Sequence, residues 1–255
     1  MEHPIFKKIE QSKKPDFGDI LSNSFQLFKE VWVEGLMHGL ISMLFVIPLI
    51  IAAYAPIMPM YMDMITGRYD SYYYEPSFEP SIPWLIGYVV IIIALSFFVQ
   101  IFVFAINAHF YKVIQQKDTG YPKDTGGYFT FLKGNVTKII LIQLASLGIA
   151  LLATLLCYLP IFYVMVPLQL ITPIFVFNSD LSVSDLIKAS FKFGNKYWLI
   201  IFGIIMVSSV IAQLGIILCF VGVIITAYFV HIPMYLMYKE SIGFDEEPAS
   251  VSIIQ

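Results

Sequence analysis

The sequence predicts an all-α integral membrane protein: six transmembrane helices arranged as three helical hairpins, each preceded by an amphipathic helix at the cytoplasmic interface, the middle one degenerate. Three observations predict it. Hydrophobic residues fill 58% of the 255 positions against 13% charged, and mean hydropathy is +0.79, far from soluble averages. Several charge-free runs reach the about 20 residues that a helix needs to cross a ~30 Å hydrocarbon core. The stretch DILSNSFQLFKEVW, Asp19 to Trp32, recurs as DLIKASFKFGNKYW, Asp185 to Trp198, and each copy runs straight into an apolar segment.

In chain order, residues 1–15 carry Lys7, Lys8, Lys13 and Lys14 without an apolar period and are expected to be a cytoplasmic lead. More than thirty mostly polar residues precede the first apolar run, the wrong order for a cleaved signal peptide, so the first span is expected to be retained. In the first repeat copy, Ile20, Leu21, Phe25, Leu27, Phe28, Val31 and Trp32 share one helical arc and Asp19, Ser22, Gln26, Lys29 and Glu30 the other, the pattern of a helix lying in the interface. Asp16 and Ser182 each stand three residues before an Asp, which sets an N-cap at both helix starts.

Span 1 is placed at about Leu36 to Ile57. A loop of about residues 58–82 follows, with Arg68 and the aromatic cluster Tyr69, Tyr72, Tyr73, Tyr74 and Phe78 among acids; it suits either a partner surface or interfacial anchoring. Span 2, roughly Trp84 to Tyr111, is long enough to tilt or to project from the bilayer. After a Lys- and Gly-rich turn, the charge-free run Ile139 to Phe177 fits two spans turning near Cys157 to Pro160. The run Tyr197 to Tyr238 fits two more, turning near Gly215 to Gly222. The tail, residues 239–255, is acidic and expected to be cytoplasmic and disordered.

Residues 16–238 thus form one membrane domain, with repeat units at about 16–112, 120–178 and 182–238. The middle unit keeps Gly134 and Asn135 against Gly194 and Asn195, and Pro173 against Pro233, but its amphipathic helix near Tyr128 to Val136 is degenerate. Six spans with both termini inside place every Lys and Arg except Arg68, fourteen of fifteen, on the cytoplasmic side. The net charge of −3 offers no basic face for nucleic acid.

The opening GDILSNSFQLFKEVW on Gly18 to Trp32, and Pro173, Phe175, Phe177, Leu181, Asp185, Ile187, Ser190, Tyr197 and Trp198 in the later copy, resemble the bacterial polytopic membrane family related to the membrane domain of glycerophosphoryl diester phosphodiesterases. The resemblance implies a bacterial inner-membrane protein of unknown function. It implies no phosphodiesterase activity, since no soluble catalytic domain accompanies the spans. Some relatives carry a carotene-oxygenase label, which the residues here must support by themselves.

Candidate chemistry is sparse, and no catalytic residue and no cofactor is expected. His38, His109 and His231 all fall near the cytoplasmic leaflet and suit either a metal site or structural hydrogen bonds. Gln100, Asn107, Gln143, Gln169, Thr172, Ser208, Ser209, Gln213 and Thr226 are uncharged and suit helix–helix hydrogen bonds. Pro160, Pro167 and Pro173 should kink span 4; Gln169 and Thr172, beside Pro167 and Pro173, mark either a ligand groove at freed carbonyls or ordinary membrane-helix proline. Cys157 and Cys219 near the outer turns are either buried or paired. The interfacial helices offer Lys188, Lys192, Lys196, Phe191, Trp198, Phe25 and Trp32 to lipid or to a partner. Three functions fit: a non-enzymatic protein binding lipid or packing with another membrane protein; the membrane subunit of an ATP-driven permease contacting a separate ATPase through the 128–136 helix, the chain having no P-loop of its own; or a membrane oxygenase using the histidines.

Overall fold

The computed structural model describes residues 3–66, 80–156, 159–215 and 221–244. Among them every regular element is a helix: α1 (Pro4–Gln11), α2 (Phe17–Tyr54), α3 (Met58–Ile65), α4 (Ile82–Thr119), α5 (Val136–Leu155), α6 (Leu159–Phe177), α7 (Val183–Lys196), α8 (Trp198–Leu214), α9 (Val221–Ala227) and α10 (His231–Ser241), with short 3₁₀ turns at Thr130–Leu132 and Tyr228–Val230. Arg68, the aromatic cluster of the 58–82 loop, Cys157, Cys219 and the end of the tail lie outside the described residues.

Four helices, α2, α4, α5 and α6, are long and apolar enough to cross a membrane, and the bent pair α7–α8 raises the number to five if it counts as one span. The apolar windows of α2, α4 and α5 are only 11%, 17% and 17% buried in the protein, so most of that surface meets lipid. This is a helical membrane protein. At about 1.5 Å per residue the 38-residue α2 and α4 are ~57 Å long, almost twice the hydrocarbon thickness, and must project from it. The stretch expected as the last span is divided into α9, a 3₁₀ turn and α10.

Packing is uneven along the helices. The buried side chains of α4 all lie from Ile101 onward, while Ile86, Val90, Ile93 and Phe98 are exposed; those of α2 lie between Ile20 and Ser42, while Leu44, Ile47 and Ile51 are exposed. The lysine-bearing end is therefore a dense core, and the opposite end is spread against lipid. α2 packs along α4, α9 and α10 close over α2, and α6 packs on α4, α5 and α7. Gly35, Gly39 and Ser42 make the α2 crossing: a Cβ at Gly39 would stand 2.7 Å from Ile224 Cγ2, one at Gly35 3.2 Å from Tyr228 Cβ, and the Ser42 and Tyr228 hydroxyls are hydrogen-bonded at 2.9 Å. Small residues one turn apart let backbones meet closely, which drives association where lipid removes the hydrophobic incentive.

The outer repeat copies share a local structure up to a point. Asp16 and Ser182 both accept hydrogen bonds from the first-turn backbone N–H groups. Ile20/Leu186, Ser24/Ser190, Leu27/Phe193 and Val31/Tyr197 are buried at matching positions, and each serine donates to the carbonyl four residues before it, at 2.6 and 2.9 Å. Past that face the copies diverge. α2 continues without interruption into the apolar segment, which corrects the expectation of a separate interfacial helix there. The second copy breaks at Tyr197 (φ −124°, ψ 28°), and α8 leaves α7 at 91°.

The middle unit also departs from expectation. No α-helix occupies 128–135: Gly126 and Gly134 adopt φ +75° and +78°, left-handed values that glycine tolerates and a continuing helix does not. The equivalent of Gly134, Gly194, lies inside α7. Residues 1–15, expected to lack an apolar period, contain α1, whose Ile5, Phe6 and Ile9 are buried against α7. Two apolar positions per turn over only eight residues are too short a pattern to stand out among four lysines. α6 runs as one helix, Leu159–Phe177, with Pro167 and Pro173 inside it.

Candidate functional site

Two clusters of polar side chains sit near the boundary between the dense core and the lipid-facing ends. The first joins His38 of α2 to His109 of α4. His38 Nε2 and His109 Nδ1 are 2.8 Å apart, with ring centres at 5.0 Å and planes 22° apart, so the rings meet edge to edge. His38 Nδ1 lies 2.6 Å from the Glu34 carbonyl one turn below it, and His109 Nε2 lies 3.1 Å from the Gly126 carbonyl of the 120–135 loop. Phe110, Tyr128 and Tyr228 surround the pair, with ring centres 5.0, 4.8 and 6.1 Å from that of His38. Glu34 is ion-paired with Lys117 at 2.7 Å.

His231 joins the same aromatic cluster but not the hydrogen-bonded chain; its Nδ1 is 3.3 Å from the Tyr111 hydroxyl. The structure thus brings together two of the three histidines considered as metal ligands. Their nitrogens face each other at hydrogen-bond distance, below the ~3.3 Å that separates ligand atoms around a tetrahedral metal bound at ~2.0–2.1 Å. Among the described residues no group of three or more His, Cys, Asp or Glu side chains is placed to hold a metal ion.

The second cluster lines a cleft of about 190 Å³ between α4, α5 and α6, formed by Gln100, Phe104, Asn107, Gln143, Ser146, Leu168, Ile171 and Thr172. Among the described residues one direct interhelical hydrogen bond uses these groups, from Gln143 Nε2 to the Gln100 backbone carbonyl at 3.2 Å. The side chains of Gln100, Asn107, Ser146 and Thr172 make none among the described residues. Counting ~1.5 Å per residue from Lys112, Asn107 lies roughly 7 Å and Gln100 roughly 18 Å further along α4. The cleft is therefore a strip of uncharged hydrogen-bonding groups that begins within two turns of Lys112 and runs along α4 away from it. Of the groove expected from span 4, only Thr172 lines it. Gln169 does not, and Pro167 and Pro173 are buried in α6, Pro167 beneath Gly194. Gln100, Asn107 and Gln143 were legible as polar residues but not as one surface; their i, i+4, i+7 spacing with Phe104 on α4, and Gln143 with Ser146 on α5, was the available signal.

The face expected to meet lipid or a partner is largely engaged within the chain. Lys188 pairs with Asp185 at 3.7 Å, Lys192 with Glu10 of α1, and Lys196 Nζ donates to the carbonyls of Ile9, Glu10 and Ser12 at 2.7, 2.7 and 2.9 Å. Lys192 holds the Glu10 carboxyl below its ordinary range, first by hydrogen bond and then by charge; the His3 hydrogen bond does the same for Asp180. Phe191 touches Tyr163, Trp198 stacks on Phe202, and Phe25 lies against Phe229 while staying 43% exposed. Trp32 is 41% exposed on α2.

Fold and sites define a class, a helical membrane protein with a polar cleft and a buried histidine pair. Comparison of the chain with family models, curated proteins and solved structures finds no match.

Proposed function

We propose that this is a non-enzymatic, six-span protein of the bacterial cytoplasmic membrane, with both termini in the cytoplasm, that binds membrane lipid in the α4–α5–α6 cleft. Five hydrogen-bonding side chains from three helices converge on that cleft, and polar groups at membrane depth carry a cost unless something satisfies them. The carbonyl-rich ester region of a lipid, lying beneath its headgroup, matches both their neutrality and their depth. Lys112, five residues beyond Asn107 on α4, and Lys138, five residues before Gln143 in the first turn of α5, add positive charge at headgroup level. Six spans rest on the distribution of lysines and on pairing α8 with the 221–238 segment as the last hairpin. The resemblance to the phosphodiesterase-related membrane family agrees with this architecture and contributes no activity to it. A permease role drew on an ATPase-docking helix at 128–136, a stretch that here holds only a 3₁₀ turn before α5.

Native mass spectrometry of gently solubilised protein tests the assignment. Wild type should retain phospholipid, and Asn107→Leu with Gln143→Leu, which keep apolar bulk but remove the amides, should lose most of it. Equal retention by both proteins would overturn lipid binding at this cleft.

A further inference from the structure

His38 and His109 form a chain of hydrogen bonds whose two ends are both carbonyl oxygens. A carbonyl only accepts, so His38 Nδ1 must carry hydrogen toward Glu34 and His109 Nε2 must carry hydrogen toward Gly126. Between them the inner nitrogens stand 2.8 Å apart, a contact that needs a hydrogen of its own, because two bare lone pairs at that distance repel. Two neutral imidazoles supply one N–H each, two in all, whereas the chain uses three. We infer that the pair is a proton-binding site: His38 and His109 hold one additional proton between them as an imidazole–imidazolium pair, and losing it releases the Gly126 carbonyl, loosening the Gly126–Gly127 turn of the 120–135 loop.

Phe110 and Tyr128 pack against the pair, with ring centres 5.0 and 4.8 Å from that of His38 and Tyr128 5.1 Å from that of His109. The other titratable and charged groups about the pair are accounted for on each element. α2 brings Glu34, which is neutralised by Lys117 of α4; α4 also brings Tyr111; the loop brings Tyr128, and Asp124, which accepts from the Gly126 N–H at 2.8 Å; the last 3₁₀ turn and α10 bring Tyr228, hydrogen-bonded to Ser42, and His231. Among the described residues no unpaired carboxylate stands against the histidines, so the proton adds a net positive charge, held by the two carbonyls. With two hydrogens left, one link of the three must fail. The longest is the 3.1 Å contact to Gly126, the only one of the three that reaches the loop. The Lys123 carbonyl stays held by Gln116 Nε2 of α4 at 2.8 Å, so the proton count of the pair acts on the Gly126–Gly127 turn and not on the whole loop. This inference stands independently of lipid binding at the cleft.

The test uses full-length protein in lipid nanodiscs with ¹⁵N-labelled histidine. Four histidines give a tractable spectrum, assigned by single His→Gln variants. Between about pH 4.5 and about pH 8.5, the range in which imidazoles change charge, the pair should pass from three protonated ring nitrogens to two, releasing one proton. Deuterium uptake at Gly126 and Gly127, corrected for intrinsic rates, should rise roughly tenfold across the same transition. His231→Gln should leave both readouts in place, while His38→Gln and His109→Gln abolish the titration. One N–H per ring throughout the range would overturn the proposal, and so would a titration that leaves uptake at the loop unmoved. If His38→Gln or His109→Gln does not fold, the wild-type and His231→Gln titrations still decide it.

Discussion

The indole Nε1 of Trp198 donates to the backbone carbonyl of Tyr163 at 3.1 Å, and that carbonyl is the one that Pro167 deprives of its helical donor. A proline inside a helix removes the N–H that would reach the carbonyl four residues back. Here the first residue of α8 replaces it, so the 91° turn after α7 and the proline of α6 are parts of one joint.

A coupling experiment follows. Trp198→Phe keeps the stack on Phe202 but removes the donor, and should destabilise the protein by about 0.5–1.5 kcal/mol, the net contribution of one such hydrogen bond. In a Pro167→Ala background the helix regains its own N–H, and the same Trp198→Phe change should cost close to nothing. Denaturation of the four proteins in detergent measures the cycle; equal costs in both backgrounds would show that the hydrogen bond contributes no stability.

Docking of α1 should depend on pH. Glu10 and Asp180 are held below their ordinary range by Lys192 and His3. A carboxyl depressed in the folded state stabilises the docked helix above the pKa of the free side chain, and the contribution is lost as pH falls through the folded value. Protection of α1 from exchange should hold above about pH 5 and decline below about pH 4, modestly because the pairs are exposed. Lys192→Glu should lower protection at neutral pH, and adding Glu10→Lys should restore part of it.

Lys196→Met tests the carbonyl cap at the end of α1. Its ammonium donates to the Ile9, Glu10 and Ser12 carbonyls, the first and last of which also accept from Ser12 and Tyr197, and methionine keeps the length without the donors. Residues 4–12 should exchange at least tenfold faster while α7, held by Gly194 on Pro167, stays protected. Unchanged exchange in α1 would mean that apolar packing of Ile5, Phe6 and Ile9 holds it alone.

Gly39→Leu should separate α9 from α2, because even a Cβ there meets Ile224 Cγ2 at 2.7 Å. A loss of roughly 1–3 kcal/mol or more is expected from such overpacking, with a rise in accessibility of Tyr228. Gly87→Leu, where no atom lies within 4 Å of a built Cβ, serves as the matched control and should be nearly neutral.

Topology is open to direct labelling. In a Cys157→Ser, Cys219→Ser background, single changes Lys13→Cys, Lys123→Cys and Lys188→Cys should all react with an impermeant maleimide from the cytoplasmic side of inverted vesicles and none in intact cells. Labelling of any one in intact cells would break the six-span scheme.

By itself the sequence determined the helical membrane class, the places where apolar runs begin, the N-caps at Asp16 and Ser182 and the recurrence of Asp19 to Trp32. These are matters of composition and local period, which the chain carries wherever it folds. It could not determine what the recurrence becomes. The two copies bury the same four positions, yet one runs on as α2 and the other turns at Tyr197. What differs is the company they keep: the second has α1, whose last carbonyls take Lys196, the following Ser12 and Lys13, whose carbonyls lie 2.8 Å from the Tyr197 hydroxyl, and the Tyr163 carbonyl that Pro167 frees. His38 and His109, seventy-one residues apart, likewise carry no local sign of each other. Only tertiary packing decides such pairs, because hydrogen bonds between distant segments depend on where the helices cross and not on any pattern along one of them.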